Sequence, residues 1–486
     1  MRIVLALIAL LASAGANAQP VKVDGGTVRG MEWSGGGHIF RGIPFAAPPV
    51  ADLRWKPPAP VRSWKDTLDA TKQPPSCVQN DQGWNRGDFL IGSEDCLTLD
   101  VRTPALTGRR PVLVWIHGGS NRAGGPNDIV QSDLGKEIVI VGIRYRLGIF
   151  GFLSHRKLTA EQGASGNYAL MDQIAALEWV RRNIAKFGGD PDNVTIAGES
   201  AGSQDVSLML AAPRARPLFR KAIMESGTPG FGLPFRSLED ASRIGDQADA
   251  LLGSGGDISK LRQMSVPALL AVDKQLHDDA LEADDYLWLR TTVDGAVLPE
   301  SPRALIEAAQ AKSIIVGSNA VELDLPGGRP RRDAFVAKAF GAHEAQARAF
   351  YRLDQPDPVA DPRLGNRDQQ IATDVTFRCP TVKMAELLAS KGARVWHYEF
   401  DAAPSGGRTS HAAEIGYAFG DAKFRFGLSL KPYWLNFIRS GDPNGEGLPA
   451  WPRYSAEQPA HAFFSDAGVE SRGALRPEVC SLLDRL

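Results

Sequence analysis

One short segment of the chain has the residue types that a serine nucleophile requires: Gly198-Glu199-Ser200-Ala201-Gly202. An apolar stretch of strand length precedes it and a stretch of helical character follows, so the chain must turn sharply at Ser200. The small residues around the serine allow neighbouring backbone to approach closely, and the N-terminus of the helix presents free N–H groups and a partial positive charge. This context predicts a nucleophile elbow with Ser200 as the attacking group.

A glycine-rich loop that begins at His117 follows the apolar stretch 112–116. Where a nucleophile elbow is present, such a loop supplies backbone N–H groups to the oxyanion that forms during acyl transfer, beside the N–H of the residue after the nucleophile. We therefore expect the N–H groups of Gly119, Ser120 and Ala201 to form an oxyanion hole.

A serine nucleophile needs a base and an acid that orients the base, and the expected order along the chain is serine, acid, histidine. His411 lies in the loop after the apolar stretch 395–400, where parallel sheets place catalytic loops. His397 falls inside that stretch and is expected to pack in or beside the sheet. Two carboxylates, Glu322 and Asp324, follow an earlier stretch of the same kind, and the residues alone do not choose between them.

The elements that must position these groups can be recognised from their periodicity. Short apolar stretches without polar alternation, which are typical of strands covered on both faces, alternate with segments of helical spacing. This pattern predicts an α/β fold with a mostly parallel central sheet flanked by helices. The clearest strand candidates are 112–116, 138–141, 194–197, 222–224, 313–316 and 395–400, and the clearest helices are 167–184 and 201–210.

Three segments lack such a pattern. Residues 40–58 contain several prolines, which cannot lie inside a helix or a ladder, and are expected to be irregular. Residues 230–310 and 324–375 have no clear period and are expected to form a cap and loops over the site.

The composition is that of a globular protein, with 43% hydrophobic and 23% charged residues. The formal net charge is −1, which gives no argument for a nucleic-acid partner or an anionic membrane. No spacing typical of metal ligands is present, and the expected chemistry needs no cofactor. Past the N-terminal segment, no stretch is long and apolar enough to predict a membrane span.

The N-terminus has the pattern of a secretory signal. Arg2 is followed by the apolar stretch 3–12, and Ala16-Asn17-Ala18 has the small-x-small pattern of a cleavage site. We interpret residues 1–18 as a cleavable signal peptide and residues 19–486 as the catalytic domain, exported to the periplasm or the medium. A buried N-terminal helix is the alternative.

The four cysteines fit an oxidising compartment. Cys77 and Cys96 lie close in sequence, and Cys379 and Cys480 both lie near the C-terminal end. Pairing by proximity is the simplest of the three possible connectivities. Four reduced, buried cysteines are the alternative.

Longer segments around these residues complete a family pattern. The chain contains FGGDPDNVTIAGESAG at 187–202, SEDCLTLDV at 93–101 and GSNAVE at 317–322. With these segments the chain resembles the type-B carboxylesterases, which include the cholinesterases and the bacterial para-nitrobenzyl esterases. The first two segments are similar to the family's two signatures. The third is similar to the segment that carries the family's acid and selects Glu322, and the residues around His411 are similar to the family's histidine segment.

The resemblance covers nearly the whole mature chain and implies an α/β-hydrolase fold with cap loops. It implies a secreted serine carboxylesterase that cleaves small esters through an acyl-enzyme, with Ser200, His411 and Glu322 as the triad. An amidase or thioesterase with the same triad is the alternative among enzymes. A non-catalytic cholinesterase-like binding module is the alternative outside them, although such modules generally lack an intact triad.

The resemblance also supports the disulfide pairings Cys77–Cys96 and Cys379–Cys480. One departure is that Ser120 stands where the family usually has a third glycine.

Three further side chains gain an interpretation from the family. Ser226 is implied as a partner behind the triad, and the Glu199 carboxylate is implied beside the histidine, where it would favour the imidazolium. Ordinary packing or solvation is the alternative for both. Trp84 lies where cholinesterases carry an aromatic ring that binds a quaternary ammonium, and packing is the alternative that we prefer for it.

Overall fold

The structure is a computed structural model that describes residues 18–278, 292–403 and 407–483. Apart from Ala18, the signal peptide predicted for residues 1–18 lies outside the described residues. Within these three ranges the structure contains no helix with the length and hydropathy of a membrane span.

The strands define the framework of the molecule. They are β1 (Val21–Val23), β2 (Gly26–Arg29), β3 (Met31–Glu32), β4 (His38–Pro44), β5 (Thr67–Asp69), β6 (Ser76–Cys77), β7 (Gly92–Ser93), β8 (Thr98–Thr103), β9 (Arg110–Ile116), β10 (Val139–Ile143), β11 (Gly189–Glu199), β12 (Lys221–Glu225), β13 (Arg236–Ser237), β14 (Thr292–Val293), β15 (Ser313–Asn319), β16 (Arg394–Asp401), β17 (His461–Ser465) and β18 (Gly468–Arg472). Each predicted strand falls inside one of these elements, apart from the first residue of the 138–141 candidate.

The helices surround this framework. They are α1 (Arg86–Leu90), α2 (Asn127–Val130), α3 (Gly148–Phe152), α4 (Arg156–Gln162), α5 (Tyr168–Asn183), α6 (Ala201–Ala211), α7 (Leu238–Leu252), α8 (Ile258–Gln263), α9 (Val266–Asp273), α10 (Pro302–Glu307), α11 (Gly328–Phe340), α12 (Glu344–Tyr351), α13 (Arg367–Thr373), α14 (Cys379–Ser390), α15 (Ile415–Ala418), α16 (Lys431–Ser440) and α17 (Pro477–Cys480). The two predicted helices correspond to α5 and α6.

One large mixed sheet has the strand order β18-β17-β16-β15-β12-β11-β9-β10-β8-β4-β3. Neighbouring strands from β17 to β10 are parallel, and the antiparallel strands β18, β8, β4 and β3 lie toward the two edges. This is the α/β fold with a mostly parallel central sheet that the sequence predicts.

Strand β9 illustrates how the sheet is buried on both faces. Val112, Val114 and Ile116 belong to a hydrophobic cluster that includes residues of α5 and α6, whereas Leu113 and Trp115 belong to a second cluster that includes residues of α16. Alternate side chains therefore pack into different cores, which explains why the strand has no polar alternation.

The irregular structure expected for residues 40–58 is wrong at its start. Residues 40–44 belong to β4, which pairs antiparallel with β8 through a register shift between Phe40 and Ile43. The prolines begin only at Pro44, the last residue of the strand, so they do not interrupt its ladder. The described parts of 230–310 and 324–375 contain the helices α7 to α13 and the two-residue strands β13 and β14.

Both disulfides implied by the resemblance are present, Cys77–Cys96 and Cys379–Cys480. The first encloses the loop that carries α1, and the second joins α14 to α17. The alternative of four reduced cysteines is therefore wrong.

Candidate active site

Ser200 lies at a strained turn between a strand and a helix. Strand β11 ends at Glu199 and helix α6 begins at Ala201, and the backbone of Ser200 between them has φ 56° and ψ −125°. A non-glycine residue with positive φ is held at a cost of about 1–3 kcal/mol. The turn is supported by Ser200 N–H, which donates to Glu225 O at 2.9 Å. It is also tight, because a Cβ at Gly202 would lie 2.1 Å from Ile116 O.

His411 is oriented by a carboxylate on the neighbouring strand end. Its Nδ1 lies 2.7 Å from Glu322 Oε2, and its backbone N–H donates to Glu322 O at 3.2 Å. Glu322 is 4% exposed, whereas Asp324, two residues later, is exposed to solvent. The structure therefore brings Glu322, and not Asp324, against His411.

A buried hydrogen-bond network lies behind Glu322. Its Oε1 accepts from Asn319 N–H at 2.6 Å and lies 2.7 Å from the Ser226 hydroxyl. The same hydroxyl lies 3.2 Å from Glu414 Oε1, and Asn319 Nδ2 donates to Glu414 Oε2 at 2.7 Å. One hydroxyl has one proton, so contact with two carboxyl groups favours a protonated Glu414. Burial, together with the charge of Glu322, raises the pKa of Glu414 to about 7.

A further carboxylate lies on the other side of the imidazole. Glu199 Oε1 is 3.2 Å from His411 Nε2, and Glu199 is itself buried. Burial lowers the pKa of His411, but the surrounding carboxylates outweigh it, so this pKa is raised above its ordinary value. Burial raises the pKa of Glu199 as well, and attraction to His411 offsets part of that change. The arrangement favours a proton on the imidazole.

Two aromatic rings pack in series beside the histidine. The ring centroid of Phe377 lies 5.0 Å from that of His411, and Phe231 packs edge-on to Phe377 at 5.7 Å. Phe377 is carried by the π-helical turn Asp374–Arg378 that precedes α14. No pattern in the sequence indicates this contact, which sequence reasoning missed.

The glycine-rich loop of residues 117–124, called the oxyanion loop after the role predicted for it, lies against the elbow. A Cβ at Gly118 would lie 3.2 Å from Ser200 Cβ, and a Cβ at Gly119 would lie 2.1 Å from Ala123 O. Among the described residues, the N–H groups of Gly119, Ser120 and Ala201 donate to no backbone oxygen.

Trp84 lies at the surface beside this loop. Its side chain is 66% exposed, and the end of its ring would be 2.9 Å from a Cβ placed at Gly119. The packing that we prefer from the sequence is therefore limited to the end of the ring that lies against the loop. His397 is buried in β16, as expected. Among the residues that the structure describes, no group of three or more His, Cys, Asp or Glu side chains is placed to hold a metal ion.

Comparison with known proteins gives consistent matches. The sequence profile described as "Carboxylesterase family" matches residues 17–482. The chain is 33% identical to carboxylesterase 1E of Mus musculus over 531 aligned residues, covering 94% of this chain and 92% of the mouse protein. It is 34% identical to the liver carboxylesterase of Sus scrofa over 502 residues, covering 90% and 86%. A solved PNB esterase superposes with a TM-score of 0.82 and 31% identity, covering 96% of this chain and 99% of that chain.

Proposed function

Because this chain belongs to the carboxylesterase family and is a carboxylic ester hydrolase of the α/β-hydrolase fold, we propose that it cleaves esters through an acyl-enzyme on Ser200. The observation that carries the proposal is the environment of His411. Glu322 lies at its Nδ1, and Glu199, the residue that precedes the elbow serine, lies at its Nε2. This arrangement supports a Ser200–His411–Glu322 triad.

The proposed reaction has two half-reactions. In the first, His411 Nε2 accepts the Ser200 proton while Oγ bonds to the ester carbonyl carbon, and the carbonyl oxygen becomes an oxyanion. The imidazolium then protonates the alcohol oxygen as the C–O bond breaks, which leaves the acyl group on Ser200. In the second, a water molecule gives its proton to His411 and attacks the acyl carbon, and the acid leaves as Ser200 regains its proton.

The charges of the two intermediates match their proposed surroundings. The oxyanion would accept hydrogen bonds from the N–H groups of Gly119, Ser120 and Ala201, which are fixed dipoles that need no reorganisation. The imidazolium would lie between the carboxylates of Glu199 and Glu322, which favour its positive charge. Ser226 would hold Glu322 from behind through its hydroxyl.

Labelling with a fluorophosphonate probe tests the nucleophile, and the chain offers a matched control. Ser203 lies on helix α6, three residues after Ser200, and its buried hydroxyl donates to Gly227 O at 2.8 Å. We expect wild type and Ser203→Ala to be labelled and to hydrolyse a phenyl ester, and Ser200→Ala to do neither. Labelling that persists in Ser200→Ala would remove Ser200 from the proposal.

The same experiment separates the alternative functions. A non-catalytic binding module would show neither labelling nor hydrolysis in wild type. An amidase or thioesterase would be labelled, but would cleave an amide or a thioester faster than the matched ester. We expect the ester to be cleaved fastest, because the chain's relatives are named carboxylesterases.

We also propose that the protein is exported after removal of residues 1–18. The two disulfides support this, since such bonds persist in oxidising compartments. N-terminal sequencing of protein from the periplasm or medium of an expression host is expected to begin at Gln19. Active protein that keeps Met1 and stays in the cytoplasm would contradict export.

A further inference from the structure

The oxyanion loop has an uncommon backbone conformation. Gly119, Ser120 and Asn121 all have positive φ, and φ is 56° at both non-glycine residues. This region is disfavoured for L residues, so contacts from neighbouring elements must maintain it. Asparagine tolerates it better than most residues, but tolerance alone does not fix where the N–H groups of the loop point.

Asn121 attaches the loop to neighbouring residues through hydrogen bonds. Its buried side-chain Nδ2 donates to Asp205 Oδ1 at 3.1 Å, and its backbone carbonyl oxygen accepts from Gly148 N–H at 2.8 Å. Its Oδ1 lies 3.2 Å from the Tyr145 hydroxyl, which donates to His117 O at 2.6 Å. The side chain thus bonds to Asp205 of α6 and contacts Tyr145, whose hydroxyl holds the first residue of the loop.

Asp205 connects Asn121 to α6, the helix that follows Ser200. It is fully buried in α6, four residues after Ala201, and helix geometry places residues four apart on one face, with side chains tilted toward the N-terminus. Its Oδ2 accepts from Gln173 Nε2 of α5 at 2.5 Å. Both carboxyl oxygens therefore bond to neutral amides. Burial raises the pKa of Asp205 to about 7, although these amide bonds oppose the rise.

We propose that Asn121 and Asp205 are positioning residues for the oxyanion hole. Their hydrogen bond fixes the oxyanion loop to α6, and so fixes the N–H groups of Gly119 and Ser120 relative to that of Ala201. Such a link is needed because the donors come from two separate elements, and misplacing a catalytic group by about 1 Å can lower a rate by about 100-fold. The inference rests on the proposed function, since it assumes that these N–H groups bind the oxyanion.

The first test removes the side chain and keeps the backbone conformation. Asn121→Gly permits positive φ without strain but deletes the side-chain hydrogen bond to Asp205 and the contact with the Tyr145 hydroxyl. We expect kcat per titrated active site to fall about 10- to 100-fold, with KM changed by less than about twofold. The inhibition constant of a trifluoromethyl ketone, which forms an oxyanion on the nucleophile, should rise by the same factor as kcat/KM falls. Unchanged kcat in Asn121→Gly would overturn the proposal.

The second test compares three substitutions around the carboxyl group. Asp205→Ala should lower kcat as Asn121→Gly does, and the double variant should be no worse than either one, because both break the same bond. Asp205→Asn should recover most of the rate, since its Oδ1 can accept from Asn121 while its Nδ2 faces Gln173. Gln173 Oε1 is buried without a hydrogen-bond partner among the described residues and can accept there.

Gln173→Met is the control for a merely structural role. It removes the amide on the side away from the loop and leaves the Asn121–Asp205 bond in place, so it should lower Tm with kcat within about twofold of wild type. A loss of kcat as large as that of Asp205→Ala would overturn the proposal. Failure of the proposed function is recognised separately, because wild type would then show neither fluorophosphonate labelling at Ser200 nor inhibition by the ketone.

Discussion

The two sides of Ser200, the proposed nucleophile, are built from different chemistry. On the histidine side, the carboxyl groups of Glu199, Glu322 and Glu414 surround or support one imidazole. On the proposed oxyanion side, the donors are backbone N–H groups on a loop whose Asn121 side chain donates to the buried carboxyl group of Asp205. The first side favours positive charge and the second favours negative charge. The difference teaches that several carboxyl groups of this site are arranged around the imidazole, whereas the proposed oxyanion donors are neutral backbone dipoles.

The largest expected effect tests the acid on the histidine side. Replacing Glu322 by Gln keeps the size of the side chain but removes the charge that holds the imidazole, so we expect kcat to fall about 10⁴-fold, as for other triads with a neutralised acid. Steady-state hydrolysis of a phenyl ester measures this.

The matched control is Asp324→Asn, which neutralises an exposed carboxylate two residues away. It should leave kcat within about twofold of wild type, because surface substitutions rarely disturb a site. If Asp324→Asn is inactive and Glu322→Gln is active, then the contact between Glu322 and His411 does not identify the acid of the triad.

The two sides also differ in how much of their structure the sequence predicts. The elbow and the glycine loop follow from their residue motifs together with strand and helix periodicity, and His411 follows from chain order and its place after a strand. The choice of Glu322 over Asp324 does not, because both residues lie in one loop and only the fold decides which one turns inward. It was the family resemblance that selected Glu322.

The link between Asn121 and Asp205 could not be read from the sequence. The two residues are 84 positions apart, and an Asn in a loop or an Asp in a helix normally faces solvent. The available signal was that Asp205 interrupts a helix whose other residues are small, apolar or uncharged. The strand at 40–44 was missed for the opposite reason, since prolines outside the strand dominated the composition of the segment.

The next effect concerns Ser120 on the oxyanion side. A serine at φ 56° carries a Cβ and hydroxyl that a glycine lacks, and a tertiary alcohol ester crowds the same side of the carbonyl. We expect Ser120→Gly to improve the ratio of tert-butyl to n-butyl ester hydrolysis about tenfold, equivalent to relief of about 1.4 kcal/mol in the transition state. Rates on the two acetates measure this ratio.

Ser120→Ala separates the backbone from the hydroxyl as the donor. It keeps the N–H group and the Cβ, so ordinary esters should be hydrolysed at nearly the wild-type rate. A loss of about 10²–10³ in kcat, with the fold intact by circular dichroism, would mean that the hydroxyl itself binds the oxyanion. The oxyanion side would then depend on a side chain, and the contrast between the two sides would be weaker.

The third effect is on the pH dependence of the histidine side. His411 must be neutral to act as the base, and the carboxylates raise its pKa, so activity should be lost on acidification below a midpoint that lies above the ordinary value of about 6.5. Glu199→Gln removes one of these charges and should move the midpoint of kcat/KM to lower pH by about one unit. Profiles of kcat/KM from pH 5 to pH 10 measure the midpoint separately from the plateau.

Asp205→Asn is the comparison from the oxyanion side. It also neutralises a buried acid near Ser200, but one that bonds to amides rather than to the histidine. Its midpoint should stay at the wild-type pH. An equal shift in both variants would show that the imidazole responds to total buried charge, and the separation of the two sides would fail.

The smallest effect is on stability and concerns Glu225, at the outer end of the histidine side. This carboxyl is fully buried, and its Oε1 accepts from Trp434 Nε1 at 2.6 Å. Burial, and then the nearby carboxyl groups of Glu414 and Glu199, raise the pKa of Glu225 well above its ordinary value. The unfolded chain ionises this group near pH 4.3, so it binds fewer protons than the folded chain above that pH. Glu225 therefore contributes a loss of folding stability that grows as the pH rises toward its folded pKa.

Glu225→Gln should remove that pH-dependent loss, because the amide is neutral in both states and its oxygen can still accept from Trp434. Urea unfolding should show the variant more stable than wild type at pH 8, with the advantage shrinking toward pH 5 by about 1.4 kcal/mol per pH unit between the unfolded and folded pKa values. Glu446→Gln, at an exposed position, should show no such trend. A constant difference between Glu225→Gln and wild type at both pH values would mean that Glu225 stays ionised when folded. The histidine side would then hold one more negative charge than the raised pKa of Glu225 implies.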